Sequence, residues 1–531
     1  MSFIKGEKMK VSFVNPGEYG EGKAYGPLLS PHMGVAYMAS YIKHHNHDVE
    51  VIEMPVYQMS YDDILKRLKA FNTDILAITA RSFNILSANT LATLAKKEIP
   101  NIKIVLGGAH ATALPRRTLQ EFSSFDCLVV GYGEIPLLEF VQRLEKNPHA
   151  TISQLCHDNK SFVFRDGSKI IENPIAPAIS DLDSLPNPDY SMYDMPAFGR
   201  LYHPPTNKFH QEISMFASRG CPYKCTFCMA HGGEGVERSY NYRSPANVVD
   251  EIEEIYERTR IDCISFNDST FGIKKEWFLD FCHEMMKRGL QKKLHWSFET
   301  RANLAKVEIL ETAVKAGCKW IFFGFESGSE KVLKAIHKGI TPNQIRSTVR
   351  AGRDAKVPYL SASFIVGMPG ETRNTIAETA SIIEEIKLDT TGINIAAMYP
   401  GTELYTMIQN EEGGMRWADP SYNYNWDIYD RKGAHIAIND LEPIDLENYA
   451  SKLRNIGIKA APDQRYGQIS KSVSYMRYYF FKDRQKLWYH VKEGVKGYFP
   501  TDTGEPINPV SQISARSAPP TGPNFPPIQV E

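Results

Sequence analysis

Long apolar runs are missing from this chain. No stretch of about 18 apolar residues occurs, and residues 1–10 hold no apolar signal core, so neither a membrane-spanning segment nor a secretory leader is expected. An excess of charge of one sign is missing too. The chain has 61 Lys and Arg against 62 Asp and Glu, which recommends no nucleic-acid partner, although a local basic patch can sit inside a neutral total. Cysteine is scarce, and eight in 531 residues are too few for a disulfide scaffold, which suits a reduced, cytoplasmic setting. What is present is globular: 42% hydrophobic and 23% charged residues exclude a disordered chain, and the length suggests about three domains.

Three of the eight cysteines fall together. Cys221, Cys225 and Cys228 are spaced C-x3-C-x2-C in Ser-Arg-Gly-Cys-Pro-Tyr-Lys-Cys-Thr-Phe-Cys-Met, on a loop where Gly220 and Pro222 oppose a regular helix. A structural zinc asks for four N or S ligands, and the next cysteine, Cys263, lies far downstream without a C-x2-C partner. A 4Fe–4S cube also takes four ligands, so three cysteines leave one iron open to an external chelator. An unusual zinc knuckle, or cysteines that are merely buried, is the structural alternative. The spacing, with Phe227 just before the last cysteine, resembles the radical S-adenosylmethionine (SAM) superfamily, in which SAM's amino and carboxylate groups take the fourth site.

Upstream, β-branched runs at residues 11–15, 49–54, 75–79, 104–106 and 128–130 alternate with helical periodicity, as in Val35, Met38, Ala39 and Ile42 or Ala88, Leu91, Ala92 and Ala95. The pattern predicts an α/β, doubly wound parallel sheet whose ligand lies beyond the strands' carboxyl ends. Those ends are rich in glycine: Asn15-Pro16-Gly17, Gly107-Gly108-Ala109-His110-Ala111-Thr112 and Gly131-Tyr132-Gly133-Glu134. With Pro31-His32-Met33-Gly34, they resemble the cobalamin-binding domain that precedes the radical SAM core in one large subgroup. The resemblance implies a Rossmann-like domain at residues 1–150, with the corrin over the strand ends. It implies a binding set of Phe83, Gly107, Gly108, His110, Gly131, Gly133 and Glu134, with the loop at residues 80–84 facing cobalt. The Asp-x-His-x-x-Gly signature of other cobalamin proteins is absent, as in many members of the subgroup, and His32 and His110 read as loop histidines rather than cobalt ligands. Residues 151–212, punctuated by Pro186 and Pro188, read as a linker.

From residue 213 to 410 a second series of strand-then-helix units predicts a partial or full α/β barrel of TIM type, with its chemistry at the C-terminal mouth. Capping boxes are expected at Ser327-x-x-Glu330 and at Thr341-Pro342-Asn343-Gln344. Strands ending in Glu299, Arg301 and Glu326 need those charges paired or binding something; a structural ion pair among them is the plainer reading. The family resemblance implies instead that Asn267, Asp268 and Ser269 meet the SAM amino group and that Glu299 and Arg301 contact SAM, with Arg301 on its carboxylate. It further implies that Glu326 in Gly-Phe-Glu-Ser-Gly, and Ile365 and Gly367 in the string ending Gly370-Glu371, meet the ribose and adenine. Residues 411–510 are expected to form a mainly helical substrate or cap region, with Trp417, Tyr422, Tyr424, Trp426 and Tyr429 as a lid or packed loop. A basic aromatic stretch occupies 475–499, and residues 511–531 are expected to be disordered.

The resemblance implies a cobalamin-dependent radical SAM methyltransferase. Its cofactors would be a 4Fe–4S cluster, SAM and methylcobalamin; its partners, a small-molecule substrate and an electron donor such as flavodoxin or ferredoxin. Ring closure or rearrangement without methylation, as in the anaerobic Mg-protoporphyrin ester cyclase the chain also resembles, is the second reading. A non-catalytic corrinoid or cluster sensor is the third. No catalytic residue is assigned.

Overall fold

β-Branched runs separated by amphipathic helices build two mostly parallel sheets in series. The structure, a computed structural model, describes residues 8–17, 30–230, 239–430 and 433–462. All of these belong to one unit that ends at Lys471, and the expected features at 475–499 and 511–531 lie outside the described residues. The first sheet contains β1 (Lys10–Asn15), β2 (Asp48–Glu53), β3 (Ile75–Thr79), β4 (Lys103–Gly107), β5 (Cys127–Val129), β6 (Phe162–Asp166) and β7 (Lys169–Glu172). Its order is β2-β1-β3-β4-β5-β6-β7, with the first five strands parallel. Order reverses between β1 and β3, so the ligand crevice of such a sheet falls at Asn15–Gly17 and the start of the 80–84 loop.

Residues 151–172 are not linker. Phe162, Val163 and Phe164 are buried, Phe162 stacks on Phe140 at 5.3 Å, and the β6–β7 hairpin extends the sheet antiparallel from β5. The hairpin covers the sheet edge, which the proline-based reading of the segment did not foresee. Only beyond Glu172 does the chain become irregular, as short turns and the hairpin β8 (Leu201–His203) and β9 (Lys208–His210).

The second sheet runs β10 (Glu212–Met215), then, past a two-stranded ribbon of β11 (Ser218–Gly220) and β12 (Tyr240–Tyr242), through β13 (Cys263–Phe266), β14 (His295–Thr300), β15 (Cys318–Glu326), β16 (Tyr359–Val366) and β17 (Thr390–Ile395). These six pair in parallel in that order, which makes the barrel partial. Alternation assigns the two faces. Ile213, Ile264, Trp296, Phe298, Phe323, Phe364 and their neighbours are buried under the outer helices. A buried aliphatic or aromatic side chain of this kind contributes roughly 1.5–3 kcal/mol. The other face carries Ser214, Ser265, Ser297, Ser361 and Ser363 where a filled TIM barrel carries branched aliphatics. Trp320 and Phe322 of β15 share that face with the serines.

Helix starts follow their caps in part. Thr341 and Gln344 form the expected box ahead of the helix Pro342–Asp354. The box expected at Ser327 and Glu330 does not form, because Ser327 is buried and its hydroxyl meets Thr379 at 3.2 Å and the Ser329 amide at 3.1 Å. The helix starts two residues later than that box would have it, at Glu330. Beyond the barrel, the described part of the tail holds strands as well as helix. It pairs β18 (Met415–Trp417) with β19 (Ile436–Ile438) and then sends the helix Pro443–Ala460 along the exposed edge at β17, where Gly457 is needed because a Cβ would lie 2.8 Å from Thr391 Cβ.

Candidate functional site

The cysteine loop leaves β11 through Gly220, whose φ of +81° and contact with the Ser239 carbonyl leave no room for a side chain. Main-chain bonds clamp the loop: Thr226 N donates to Ile336 O at 3.1 Å, Leu404 N to Thr226 O at 2.9 Å and Cys228 N to Cys225 O at 3.1 Å. Cys221 and Cys225 are buried and Cys228 half-buried. Burial first, and then the neighbouring sulfurs of Cys225 and Cys221, push the Cys228 thiol up to about 11. Asp268 holds the loop's approach. Both its oxygens are engaged, one by Ala217 N at 3.1 Å and the other by the Ser218 hydroxyl. Burial raises its carboxyl to about 6. Asp268 therefore acts through the loop, whereas Asn267 and Ser269 on either side of it are exposed at the mouth.

Arg301 lies beside the sulfurs. Its Nη1 donates to Cys225 Sγ at 3.4 Å, its Nη2 to Lys338 O, and its guanidinium sits 3.8 Å from the centre of the Tyr223 ring. Its Nε is buried without a partner. Glu326, at φ +65° on a bulge in β15, pairs with Lys338 Nζ at 2.8 Å and accepts from Ser363 Oγ at 3.1 Å. The ion pair expected within the Glu299, Arg301 and Glu326 trio is thus replaced by one with Lys338. Glu299 has no hydrogen-bond partner for its carboxylate among the described residues, although its main-chain carbonyl accepts from Phe271 N at 2.9 Å. It touches solvent, yet crowding by protein and then the Glu326 charge, offset by Lys338, raise its carboxyl to about 7. Ile365 is half-buried on β16, and Gly367, at φ +97°, donates its N–H to the buried Glu371, which closes the turn.

At the first sheet's strand ends, Gly108 adopts φ 95° and ψ −176°, a region open essentially only to glycine, and a Cβ there would lie 2.6 Å from Ala80 O. Nothing lies within 4 Å of a Cβ placed on Gly107. Backbone there faces open space. Gly108→Ala is expected to cost about 1–3 kcal/mol of backbone strain and to lower cobalamin retention, checked by urea midpoint and by corrin absorbance after gel filtration. Unchanged corrin content in a folded variant would count against this loop as the cradle. Gly131 has φ +77°, and Gly133 packs where a Cβ would meet Met38 Cε at 2.6 Å. His110 is fully buried, its Nδ1 3.1 Å from Ser82 Oγ and its Nε2 unpartnered; burial lowers it to about 3, so it is neutral. Phe83 lies half-buried under Arg81 at 5.4 Å. Glu134 departs from expectation. Its carboxylate is buried in an ion pair with Arg219 Nη2 at 2.6 Å, so it fastens the first sheet to the cysteine ribbon instead of facing the crevice.

The two sets of strand ends meet. A Cβ on Gly401, past β17, would lie 2.9 Å from both Ala113 Cβ and Met229 Cε, which brings the cysteine loop, the second sheet's mouth and the loop after β4 together. Sequence comparison gives this junction its chemistry: the B12-binding domain family matches residues 27–141 and the radical SAM superfamily residues 215–383. The chain is a cobalamin-binding radical SAM enzyme. Its cofactors are a 4Fe–4S cluster, SAM and cobalamin. An anaerobic magnesium-protoporphyrin IX monomethyl ester cyclase of Cereibacter sphaeroides is 30% identical over 406 residues, 76% of this chain and 64% of the cyclase. An uncharacterized methyltransferase of Pyrococcus horikoshii is 29% identical over 418 residues, 77% of this chain and 85% of that protein. The fold matches that of the radical SAM methyltransferase TsrM of Kitasatospora setae, with a TM-score of 0.63, 17% identity and 77% of each chain covered. Among the described residues no helix is long and apolar enough to cross a membrane.

The residues of this radical SAM enzyme fit those groups. Three cysteines on one clamped loop suit three irons; the Arg301 Nε and Glu299 carboxylate, without partners among the described residues, suit a zwitterion; the glycine ends suit close backbone approach. Other residues that matter had no motif to mark them. Arg243 and Glu251 form a buried ion pair, to which Tyr37 from the first domain and Tyr190 from the linker add hydroxyls at 3.3 and 3.2 Å from the Glu251 oxygens. Trp426, from the aromatic stretch, meets His110 edge-on at 4.7 Å, stacks with Tyr429 at 6.2 Å and donates to Glu121 at 2.6 Å. That stretch straps the second domain's tail across the first domain's strand ends. Only its aromatic density could have hinted at this.

Proposed function

We propose that this enzyme methylates an unactivated carbon of a small molecule. The bound groups would supply a 5'-deoxyadenosyl radical, which removes hydrogen from that carbon, and a methyl from methylcobalamin to replace it. The protein's part is holding and enclosing. Cys221, Cys225 and Cys228 would hold three irons, and Arg301, kept beside Cys225 and stacked on Tyr223, would bind the SAM carboxylate through its free Nε. Asn267, Ser269 and Glu299 would take the SAM amino group, a use that needs Glu299 ionised. Glu326, oriented by Lys338 and Ser363, would meet the ribose hydroxyls; Ile365 and the Gly367 turn would flank the adenine. Gly107, Gly108, Gly131 and Gly133 would let the corrin lie close to backbone, and the Trp426–Tyr429 strap would limit water at that junction. The contact of Met229, Gly401 and Ala113 carries this reading, because it puts the cysteine loop against the cobalamin domain's strand ends.

Ring closure without methylation is the second reading, favoured by the cyclase relative. Incubation with candidate substrates, reduced flavodoxin or ferredoxin and methyl-labelled SAM separates the two. Methyl transfer predicts label in the product, with S-adenosylhomocysteine formed alongside 5'-deoxyadenosine. An unlabelled, oxidised product with 5'-deoxyadenosine alone would overturn methylation and leave cyclisation.

A further inference from the structure

At the end of the second sheet away from the mouth lies a donor set that neither the cluster nor SAM uses. Glu212 opens β10, Cys263 opens β13 and His295 opens β14, while His203 closes β8 in the hairpin beneath. The first three strands are neighbours in parallel register, Glu212 opposite Cys263 and Cys263 opposite His295. His203 and Cys263 are 0% exposed, Glu212 and His295 8%. Four strand positions separate Cys263 from Asn267 at the mouth, about 13 Å at ~3.3 Å per residue.

His203 Nε2 lies 3.4 Å from Cys263 Sγ and 3.2 Å from Glu212 Oε2, and Cys263 Sγ lies 3.7 Å from Glu212 Oε2. A tetrahedral zinc with bonds of about 2.0–2.3 Å has donor-to-donor edges of about 3.3–3.6 Å, which these three distances approximate. His295 lies on the same side: one donor atom each from His203, Cys263 and His295 lie within 4.8 Å of one another. Its Nε2 is buried with no hydrogen-bond partner. Hydrogen bonding alone accounts for His203 and Glu212 but leaves that nitrogen orphaned, and burying a carboxylate with a thiol and two imidazoles is costly unless a cation joins them. The neighbouring His210 serves as a contrast. It packs 4.4 Å from the His295 ring, yet both its nitrogens are taken, Nδ1 by Asp262 at 3.0 Å and Nε2 by Thr206 at 2.8 Å.

We propose that His203, Glu212, Cys263 and His295 bind one divalent transition-metal ion of the zinc class, in a closed structural site that pins the β8–β9 hairpin to the floor of the barrel. Thiolate with imidazole selects zinc over magnesium or calcium, and four protein ligands leave no open position for chemistry. Cys263 would give up its proton to solvent on binding.

The test uses the full chain carrying Cys221→Ala, Cys225→Ala and Cys228→Ala, so that zinc cannot settle on the cluster cysteines, isolated without cobalamin. After incubation with zinc and desalting, metal analysis is expected to find about one zinc per chain, and cobalt(II) in its place should give a thiolate charge-transfer band. Adding His295→Asn or Cys263→Ser should weaken zinc binding by about tenfold or more, whereas His210→Asn should keep it. His295→Asn guards against misfolding, since the lost Nε2 bonds nothing in the protein. Absence of zinc in the cluster-free chain, or retention unaffected by both His295→Asn and Cys263→Ser, would overturn the proposal.

Discussion

Cys225→Ala is expected to yield a folded protein with no brown chromophore and no 5'-deoxyadenosine from SAM under reducing conditions. A cube held by three cysteines has no spare protein ligand to recruit, since among the described residues the other five lie elsewhere: Cys127 and Cys156 in the first domain's core, Cys263 at the barrel floor, and Cys282 and Cys318 under the outer helices. Removing one sulfur should therefore drop iron from about four per chain toward none rather than shift the cluster's spectrum. Cys282→Ala provides the contrast. It deletes a more deeply buried sulfur from the helix Lys275–Lys287, and should cost stability by leaving a small cavity while the chromophore survives. A full iron complement in the Cys225 variant would remove the cluster assignment from this loop.

Glu251→Ala should carry the largest stability cost among single charge deletions at the domain junction, about 3–5 kcal/mol. Its carboxylate is the counter-ion of Arg243, and the two are 1% and 5% exposed as side chains. Around that pair, Arg243 donates to Tyr37 at 3.1 Å, Asn187 at 2.9 Å, Asn247 at 2.6 Å and Phe216 O at 3.2 Å, so one guanidinium gathers the first domain, the linker and the second sheet. Removing the carboxylate strands a buried cation and two tyrosine hydroxyls. The double variant Arg243→Met, Glu251→Leu should recover much of the loss, because the penalty is one of uncompensated charge. Urea unfolding measures both; a loss under about 1 kcal/mol for Glu251→Ala would mean that the pair contributes no more than a surface bridge does.

What was legible in the sequence was whatever depends on local period and local spacing. The first five strands fall within a residue or two of the periodic runs, because buried parallel strands demand β-branched residues whatever their partners. Cys221, Cys225 and Cys228 share one loop, which their spacing alone makes plain. The β6–β7 hairpin was not, since Pro186 and Pro188 suggested a linker while the burial of Phe162 and Phe164 depends on a helix packed from elsewhere, through Phe140. Glu134 was misjudged for the same reason. Its sequence context is a glycine-rich strand end, and only the fold brings Arg219, 85 residues away, to its carboxylate. Asp268 and Glu326 likewise took partners, Ser218 and Lys338, that no spacing rule connects. Charges at strand ends can be found from sequence; their counter-ions are decided by topology.

Three cysteines beside a cobalamin domain would leave one iron of the cluster short of a protein ligand. Electron paramagnetic resonance of the reduced, reconstituted protein, recorded with and without SAM, tests it most directly. A 4Fe–4S signal that shifts when SAM is added is expected, because SAM's amino and carboxylate groups would take the open iron. A reduced cluster whose signal is identical with saturating SAM would contradict it.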